Sequence, residues 1–194
     1  MRSVRDIFRS YAIFDSDGRH TNGTVKESYH DYGVAYEYLF RDREDVELMM
    51  EIGVADGSSL LAWREIFPNA LCVGMDIHHS DKAHGDRLEF HFGDQRNLAD
   101  CMAAAAGRQF ALVVEDALHD QSASLMTLLY MWPYIKPGGL YVIEEFDNIG
   151  ALRDNVVQLW RDGGGCGEAT SVEIVDTDGP FGGVEPLVVF KRPL

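Results

Sequence analysis

The chain has little of what a secreted or membrane protein needs. Its 194 residues include only three cysteines, Cys72, Cys101 and Cys166, which are far apart in the sequence. Three thiols without close pairing predict neither a disulfide framework nor a zinc site, and they favour a reducing compartment. No apolar run approaches the roughly 20 residues of a membrane span, and the first nine residues carry charges where a signal peptide is apolar. We therefore expect a cytoplasmic protein without a membrane partner.

Positive charge is also scarce. There are 17 lysines and arginines against 32 aspartates and glutamates, which makes the net charge −15. Because affinity for nucleic acid comes largely from basic side chains that neutralise phosphates, this balance argues against a nucleic-acid partner. The length predicts a single domain over 1–194, with an N-terminal helical cap at 1–45, a ligand-binding core at 46–147, and a C-terminal helix and hairpin at 148–194.

Strand and helix patterns alternate through the middle of the chain. Apolar runs such as 111–114 are typical of strands that are covered on both faces. Two final strands joined by a loop rich in glycine and proline predict an antiparallel hairpin. The sequence therefore predicts an α/β fold with a doubly wound, mostly parallel seven-stranded sheet that ends in this hairpin. The predicted strands are Leu48 to Ile52, Leu71 to Met75, Leu88 to Phe92, Phe110 to Val114, Leu140 to Ile143, Ser171 to Val175 and Leu187 to Lys191.

Helices are predicted between these strands. Ahead of the sheet, Val34, Tyr38 and the pair at 39–40 recur at helical spacing and predict the packing face of a helix. Further helices are expected over 58–67, 97–106 and 121–135, and around 151–160. The sequence Lys-Pro-Gly-Gly at 136–139 predicts a turn before the fifth strand.

Five predicted strands each reach a carboxylate at or near their carboxyl end. Because parallel strands point their carboxyl ends toward the same edge of the sheet, these acids should form a row where open α/β sheets bind ligands. Such a row suits a cationic ligand, ribose hydroxyls or a divalent metal, and repels a bare phosphate. The acids are Glu51, Asp76, Asp94, Asp116 and Glu144, the last followed directly by Glu145.

The first of these acids opens a glycine-containing turn. Residues 51–58 read Glu-Ile-Gly-Val-Ala-Asp-Gly-Ser, which predicts a strand, a tight turn and a helix start. Ala55 stands where the dinucleotide fingerprint G-x-G-x-x-G requires glycine, so the turn does not match that fingerprint. Asp76 ends the next strand and could accept hydrogen bonds from both hydroxyls of a ribose.

A second acidic cluster should form at the ends of the fourth and fifth strands. Asp116, Glu144 and Glu145 would lie close together there, and neighbouring carboxylates cannot all stay ionised without a cation. A hard divalent ion with oxygen ligands, with Mg²⁺ as the expected ion, would compensate that repulsion. His119 is placed to act as a general base on a metal-bound hydroxyl. The alternative is that the acids are solvated at the sheet edge and His119 caps a helix.

Several motifs resemble class I S-adenosylmethionine methyltransferases. The likeness covers residues 21–146 and is closest to the metal-dependent O-methyltransferases of natural-product sugars, of the mycinamicin and macrocin type, and to their cephalosporin hydroxylase-like relatives. The departures from the usual pattern are Glu115, Ala117 and Leu118 in the loop before His119, and Glu145 in place of aspartate. The matching strings are EIGVADGSSLLAW, VGMDI, FGDQ, EDALH and KPGGLYVIEEF.

The resemblance implies a role for each matching residue. His119 would be the catalytic base, and Asp116, Glu144 and Glu145 would bind Mg²⁺. A weaker likeness to the cofactor-covering segment includes Thr24, Lys26, His30, Tyr32 and Tyr36. The residues implied to bind S-adenosylmethionine are Glu51, Gly53, Gly57, Ser59, Asp76, Asp94, Gln95 and Glu115.

These observations predict an S-adenosylmethionine- and Mg²⁺-dependent O-methyltransferase that acts on a hydroxyl of a small molecule. The resemblance implies a natural-product sugar as the acceptor, and assembly into a homo-oligomer is compatible with the sequence. One alternative is a cofactor-binding subunit without catalysis, motivated by the altered loop at 117–118. A second is a nicotinamide-dependent oxidoreductase, against which Glu51 and Ala55 argue.

Overall fold

The computed structural model describes residues 2–28, 30–40, 43–145, 171–175 and 187–194. None of the helices in these ranges is long and apolar enough to cross a membrane. The helices are α1 (Val4–Ser10), α2 (Tyr32–Leu39), α3 (Ser58–Ile66), α4 (Leu98–Ala105) and α5 (Gln121–Met131). The strands are β1 (Ala12–Phe14), β2 (His20–Gly23), β3 (Leu48–Ile52), β4 (Leu71–Asp76), β5 (Leu88–Phe92), β6 (Phe110–Glu115), β7 (Ile135–Ile143), β8 (Ser171–Val175) and β9 (Leu187–Lys191).

Strands β3 to β9 form one sheet in the order β5-β4-β3-β6-β7-β9-β8. Strands β3 to β7 are mutually parallel, and β9 runs antiparallel to both β7 and β8. The predicted doubly wound sheet with its final hairpin is therefore confirmed. The strand order reverses between β3 and β6, so the carboxyl ends of these two strands open onto a topological switch point.

Both faces of the sheet are covered, as the continuous apolar strands predicted. Met49 and Met50 are adjacent in β3 and point to opposite faces, since side chains alternate along a strand. Met49 belongs to the core under α1, α2 and α3, whereas Met50 belongs to the core under α4 and α5. The first core contains Trp63, whose ring packs edge-on against those of Phe8 and Tyr36 at centroid distances of 4.9 and 4.7 Å.

The N-terminal region differs from the prediction in two ways. Helix α1 and the β1–β2 hairpin were not predicted, since seven-residue and three-residue elements leave too short a pattern to recognise. Helix α2 lies where a helix was predicted, but the predicted packing face was wrong. Val34 and Tyr38 are 47% and 56% exposed, while Tyr32 and Tyr36 are fully buried. The buried tyrosines are tolerated because their hydroxyls form hydrogen bonds inside the protein.

Two boundaries around β7 also differ. Helix α5 ends at Met131 rather than continuing to 135, and a 3-10 turn that contains Pro133 follows it. The residues at 136–139 do not form a separate turn but lie within β7, where the register with β6 shifts. Gly138 adopts a φ of 75° there, which glycine reaches without strain. The helix predicted around 151–160 lies outside the described residues.

Candidate active site

A cavity of about 450 Å³ opens at the carboxyl ends of β3, β4, β5 and β6, across the switch point. Its wall is completed by residues 23–26 and by the loops that follow these strands. Eight of the predicted site residues line it: Gly53, Ser59, Asp76, Asp94, Gln95, Asp116, His119 and Glu145. The other four do not line it: Glu51, Gly57, Glu115 and Glu144.

The turn between β3 and α3 forms one wall of the cavity. Gly53 has a φ of 91°, and its N–H donates to the carbonyl oxygen of Met75 at 2.9 Å. The Oδ2 atom of Asp76 accepts hydrogen bonds from the backbone N–H groups of Val54 and Ala55 at 2.8 and 2.9 Å. The end of β4 therefore fixes the turn, and the Asp76 carboxylate is held at the cavity surface.

The carboxylate of Glu51 does not line the cavity. It is fully buried and accepts hydrogen bonds from the hydroxyl of Ser59 at 2.7 Å and the indole N–H of Trp63 at 2.9 Å. Burial raises the pKa of Glu51 above its ordinary value. Gly57 is also packed inside, because a Cβ atom there would lie 2.5 Å from the hydroxyl of Ser80. Glu51 therefore holds α3 against the sheet, whereas Gly57 lies against the loop at 80–83.

The loop after β5 presents the side chains of Asp94 and Gln95 to the cavity. Asp94 forms an ion pair with Arg96 at 2.7 Å, and this arginine lowers the pKa of the carboxyl. Gln95 is 5% exposed, and neither Oε1 nor Nε2 of its amide has a hydrogen-bond partner in the described part of the chain. A buried donor and acceptor without partners are rare in folded proteins. Gln95 is therefore available to a ligand in the cavity.

Asp116, His119 and Glu145 converge at the other end of the cavity. One ligand atom from each lies within 4.8 Å of the others. The Nε2 atom of His119 is 3.8 Å from Asp116 Oδ1 and 3.5 Å from Glu145 Oε2. His30 lies 2.9 Å from the other Glu145 oxygen and lowers the pKa of that carboxyl. His119 and Glu145 have φ values of 53° and 52°, which are uncommon outside glycine and recur at functional sites.

Glu144 lies behind this group and contacts Lys26 and Tyr36. The Lys26 ammonium donates to Glu144 Oε2 and, at 2.7 Å, to Asp116 Oδ2, and it lies 3.3 Å from Glu51. The hydroxyl of Tyr36 donates to Glu144 Oε1 at 2.5 Å. Burial raises the pKa of Glu144 to about 8. Burial lowers the pKa of Lys26, but the surrounding carboxylates outweigh it and raise that pKa well above its ordinary value.

The position of Lys26 was missed by sequence reasoning. The crowded acids predicted a cation, and the chain supplies one itself from a segment 90 residues before Asp116. Only the weak likeness at 24–36 indicated this segment. Arg96 was not predicted at the cavity either, and nothing in its local sequence distinguishes it from other surface arginines.

Comparisons with known proteins agree with this geometry. The family profile of a methyltransferase domain matches residues 50–146. Demethylmacrocin O-methyltransferase of Streptomyces fradiae is 31% identical over 128 residues, which are 61% of this chain and 32% of that protein. Mycinamicin VI 2''-O-methyltransferase of Micromonospora griseorubida is 34% identical over 122 residues, which are 57% of this chain and 30% of that protein. The chain therefore spans about a third of the length of these curated relatives.

Solved structures show the same fold. The MycE methyltransferase of the mycinamycin biosynthetic pathway, in complex with Mg and SAH, superposes with a TM-score of 0.75 at 19% identity, over 99% of this chain and 55% of that one. A putative O-methyltransferase from Klebsiella pneumoniae superposes with a TM-score of 0.62 at 16% identity, over 100% of this chain and 91% of that one. The matching profile covers half of the chain, and the resemblance found in the sequence is confirmed. The chain belongs to the methyltransferase domain family.

Proposed function

We propose that this chain transfers a methyl group from S-adenosylmethionine to a hydroxyl of a small molecule in the presence of Mg²⁺, and that the acceptor is a natural-product sugar. One observation carries the proposal: the glycine turn with Asp76 and the group of Asp116, His119 and Glu145 line the same cavity. A methyl donor and a deprotonated acceptor must meet in one such space. The names of the curated relatives support the choice of O-methyl transfer.

The residues of the cavity fit the proposed methyl donor. The cavity volume of about 450 Å³ lies within the range of small-molecule sites. The Asp76 carboxylate can accept hydrogen bonds from ribose hydroxyls, and the unpartnered amide of Gln95 offers the donor and acceptor that match an adenine edge. The acidic cavity also suits the positive charge of a sulfonium.

The donor set at the acidic end fits a divalent cation. Asp116 and Glu145 offer carboxylate oxygens, which Mg²⁺ prefers as ligands, and we assign the metal to this pair. Glu144 was also predicted as a ligand, but both of its oxygens are engaged by Lys26 and Tyr36. We therefore assign Glu144 to the support of Asp116. Bound Mg²⁺ would supply positive charge beside the acceptor hydroxyl and so lower its pKa.

In the proposed reaction, the Nε2 atom of His119 accepts the proton of the acceptor hydroxyl. This atom lies 3.8 Å from Asp116 and 3.5 Å from Glu145, so the base is held beside the carboxylates that would bind the metal. The acceptor oxygen then forms a bond to the methyl carbon as the bond between carbon and sulfur breaks, which leaves S-adenosylhomocysteine. His119 finally releases its proton to solvent. Positioning and charge supply most of the rate in such a step.

The proposal is tested with the purified chain, labelled S-adenosylmethionine and a panel of glycosylated small molecules. We expect methyl transfer to a sugar hydroxyl, loss of turnover in a chelator, and recovery when Mg²⁺ is added back. Binding of S-adenosylhomocysteine without turnover on any acceptor would favour the cofactor-binding subunit. Binding of NAD in its place would favour the oxidoreductase and overturn the proposal.

Asp76→Asn tests the cofactor half. An asparagine has one carbonyl oxygen, which cannot serve the two N–H groups of the turn, the N–H of His78 and a ribose hydroxyl together. We expect S-adenosylhomocysteine to bind about tenfold to a hundredfold more weakly in calorimetry, since hydrogen bonds to a charged group contribute about 1.5–3 kcal/mol. Asp81→Asn makes the same charge change at an exposed position and should leave binding unchanged. Equal affinity for wild type and Asp76→Asn would contradict the assignment.

A further inference from the structure

We propose that Lys26 is a built-in counter-ion that holds Asp116 and Glu144 in their working positions before any metal binds. This role goes beyond the proposed function, which assigns Lys26 no part. It makes Lys26 a positioning residue for the acidic end of the cavity.

The charge of Lys26 is buried among acids. Lys26 is 2% exposed, and Glu51 and Glu144 are equally buried at 0% and 1%. An ammonium without partners would not be tolerated there, because removing a charge from water costs several kcal/mol unless it is paired and hydrogen-bonded. Carboxylates surround it: Nζ donates to Asp116 and Glu144 and lies within 3.3 Å of Glu51. Nζ also lies 5.9 Å from the centre of the Trp63 ring, within reach of a cation–π attraction.

Lys26 orients the carboxylate of Asp116. Its Oδ2 atom accepts from Lys26, and its Oδ1 atom is the one that lies 3.8 Å from His119. Because the two oxygens of one carboxylate are fixed relative to each other, the contact with Lys26 directs Oδ1 toward the cavity. The same ammonium engages Glu144 Oε2, and Tyr36 engages Oε1. Lys26 therefore keeps Glu144 out of the group formed by Asp116, His119 and Glu145.

The backbone around Lys26 is itself held in place by hydrogen bonds. Its carbonyl oxygen accepts from the N–H of Tyr32 at 2.8 Å. The next residue, Glu27, is buried, and its carboxylate accepts from the guanidinium of Arg5 at 2.6 Å and from the N–H of Gly33 at 3.3 Å. The segment that carries Lys26 is thus fixed by α1 and by the start of α2. Its ammonium is presented to the acids from a rigid support.

Lys26→Met tests the proposal, since methionine keeps most of the side-chain volume and removes the charge. In a chelator we expect the melting temperature of this variant to fall by about 10 °C or more, because breaking a buried ion pair leaves uncompensated carboxylates. Saturating Mg²⁺ should restore part of that loss, because a divalent cation can take over the compensation. When no metal is added, the wild type should melt within about 2 °C of the same temperature with and without chelator, because Lys26 already compensates its acids. Lys82→Met removes a partly exposed lysine that pairs with Asp56, and we expect it to cause a much smaller fall.

The double variant Lys26→Met with Glu144→Gln separates charge from packing. Glutamine can still accept from Tyr36, so this second change removes one uncompensated acid at little steric cost. We expect the double variant in chelator to melt well above Lys26→Met alone, whereas lost packing would not be repaired. Absence of this rescue overturns the proposal, and so does a Lys26→Met variant that melts like the wild type in chelator. If neither variant folds, the wild type in chelator is the deciding measurement. Unfolding of the wild type at ordinary temperature would show that Lys26 alone does not compensate the buried acids, and would overturn the proposal.

A metal titration separates the role of Lys26 from the proposed metal-dependent methyl transfer. Because the ammonium repels a second cation nearby, we expect Mn²⁺, used as a spectroscopic probe for Mg²⁺, to bind Lys26→Met at least about tenfold more tightly than the wild type. Weaker binding to the variant would count against the counter-ion role. Failure of the wild type to bind any divalent ion would remove the metal from the proposed function, yet the melting experiments in chelator would still report on Lys26.

Discussion

Gly53→Ala is expected to disable both ends of the cavity at once. An added Cβ atom would lie 2.1 Å from the carbonyl oxygen of Asp116 and 2.6 Å from the Cα atom of Ala117, so the backbone of one loop must move. The φ of 91° adds strain for any residue with a side chain. A displacement of about 1 Å can cost about a hundredfold in rate. We therefore expect turnover to fall at least about a hundredfold, with weaker cofactor binding and a loss of about 2–3 kcal/mol of stability in urea unfolding.

Gly107→Ala is the matched control for this substitution. Gly107 has a φ of 69° at the end of α4, but nothing lies within 4 Å of the position of its missing Cβ atom. It shares the conformational strain of Gly53 without the collision. We expect a cost of about 1 kcal/mol in unfolding and unchanged kinetics. Similar losses of turnover in both variants would mean that strain alone, rather than the contact with the Asp116 loop, explains the effect.

His119→Ala is expected to lower kcat by about 10²- to 10⁴-fold, which is the usual contribution of a general base. The side chain of His119 is 36% exposed and its ion pairs with Asp116 and Glu145 lie at the cavity, so the melting temperature and the affinity for S-adenosylhomocysteine should stay close to the wild type. Added imidazole should restore part of the rate, because it can accept the proton in the vacated space. The measurements are steady-state kinetics with and without imidazole and calorimetry with the cofactor product.

His79→Ala controls for the loss of an exposed histidine. The side chain of His79 is 66% exposed and pairs with Asp81 in the loop after β4, outside the cavity. We expect no change in kcat for this variant. A loss of metal affinity in His119→Ala, rather than of kcat at saturating metal, would assign His119 as a ligand and not as the base.

Much of the fold was predictable because its signals are local. Most of the parallel strands contain a short apolar run, and each reaches an acid at or near its carboxyl end. Asp76 and Asp116 therefore lie within one cavity, as the order of the strands required. The glycine turn was recognisable for the same reason, since Gly53 and Gly57 both need positive φ values that side chains resist.

What the sequence did not predict depends on contacts between distant segments. Tyr36 and Lys26 carry polar groups that local patterns place at the surface, yet both are buried because acids at the ends of β6 and β7 receive them. Glu51 looked like a ligand of the cofactor, but its carboxylate is engaged by Ser59 and Trp63 of the helix that follows. Side-chain direction at a strand end is decided by such partners, and no spacing rule reports it.

The sequence separation between Lys26 and the acids Asp116 and Glu144 also determines when the acidic end of the cavity can form during synthesis. On the ribosome, the lysine emerges long before Asp116 and Glu144, which follow it by 90 and 118 residues. Closing so long a loop is slow compared with forming a helix or a local hairpin. The segment around Lys26 must therefore wait in contact with water until β6 and β7 have left the exit tunnel. In the growing polypeptide, the acidic end of the cavity is among the last parts to close.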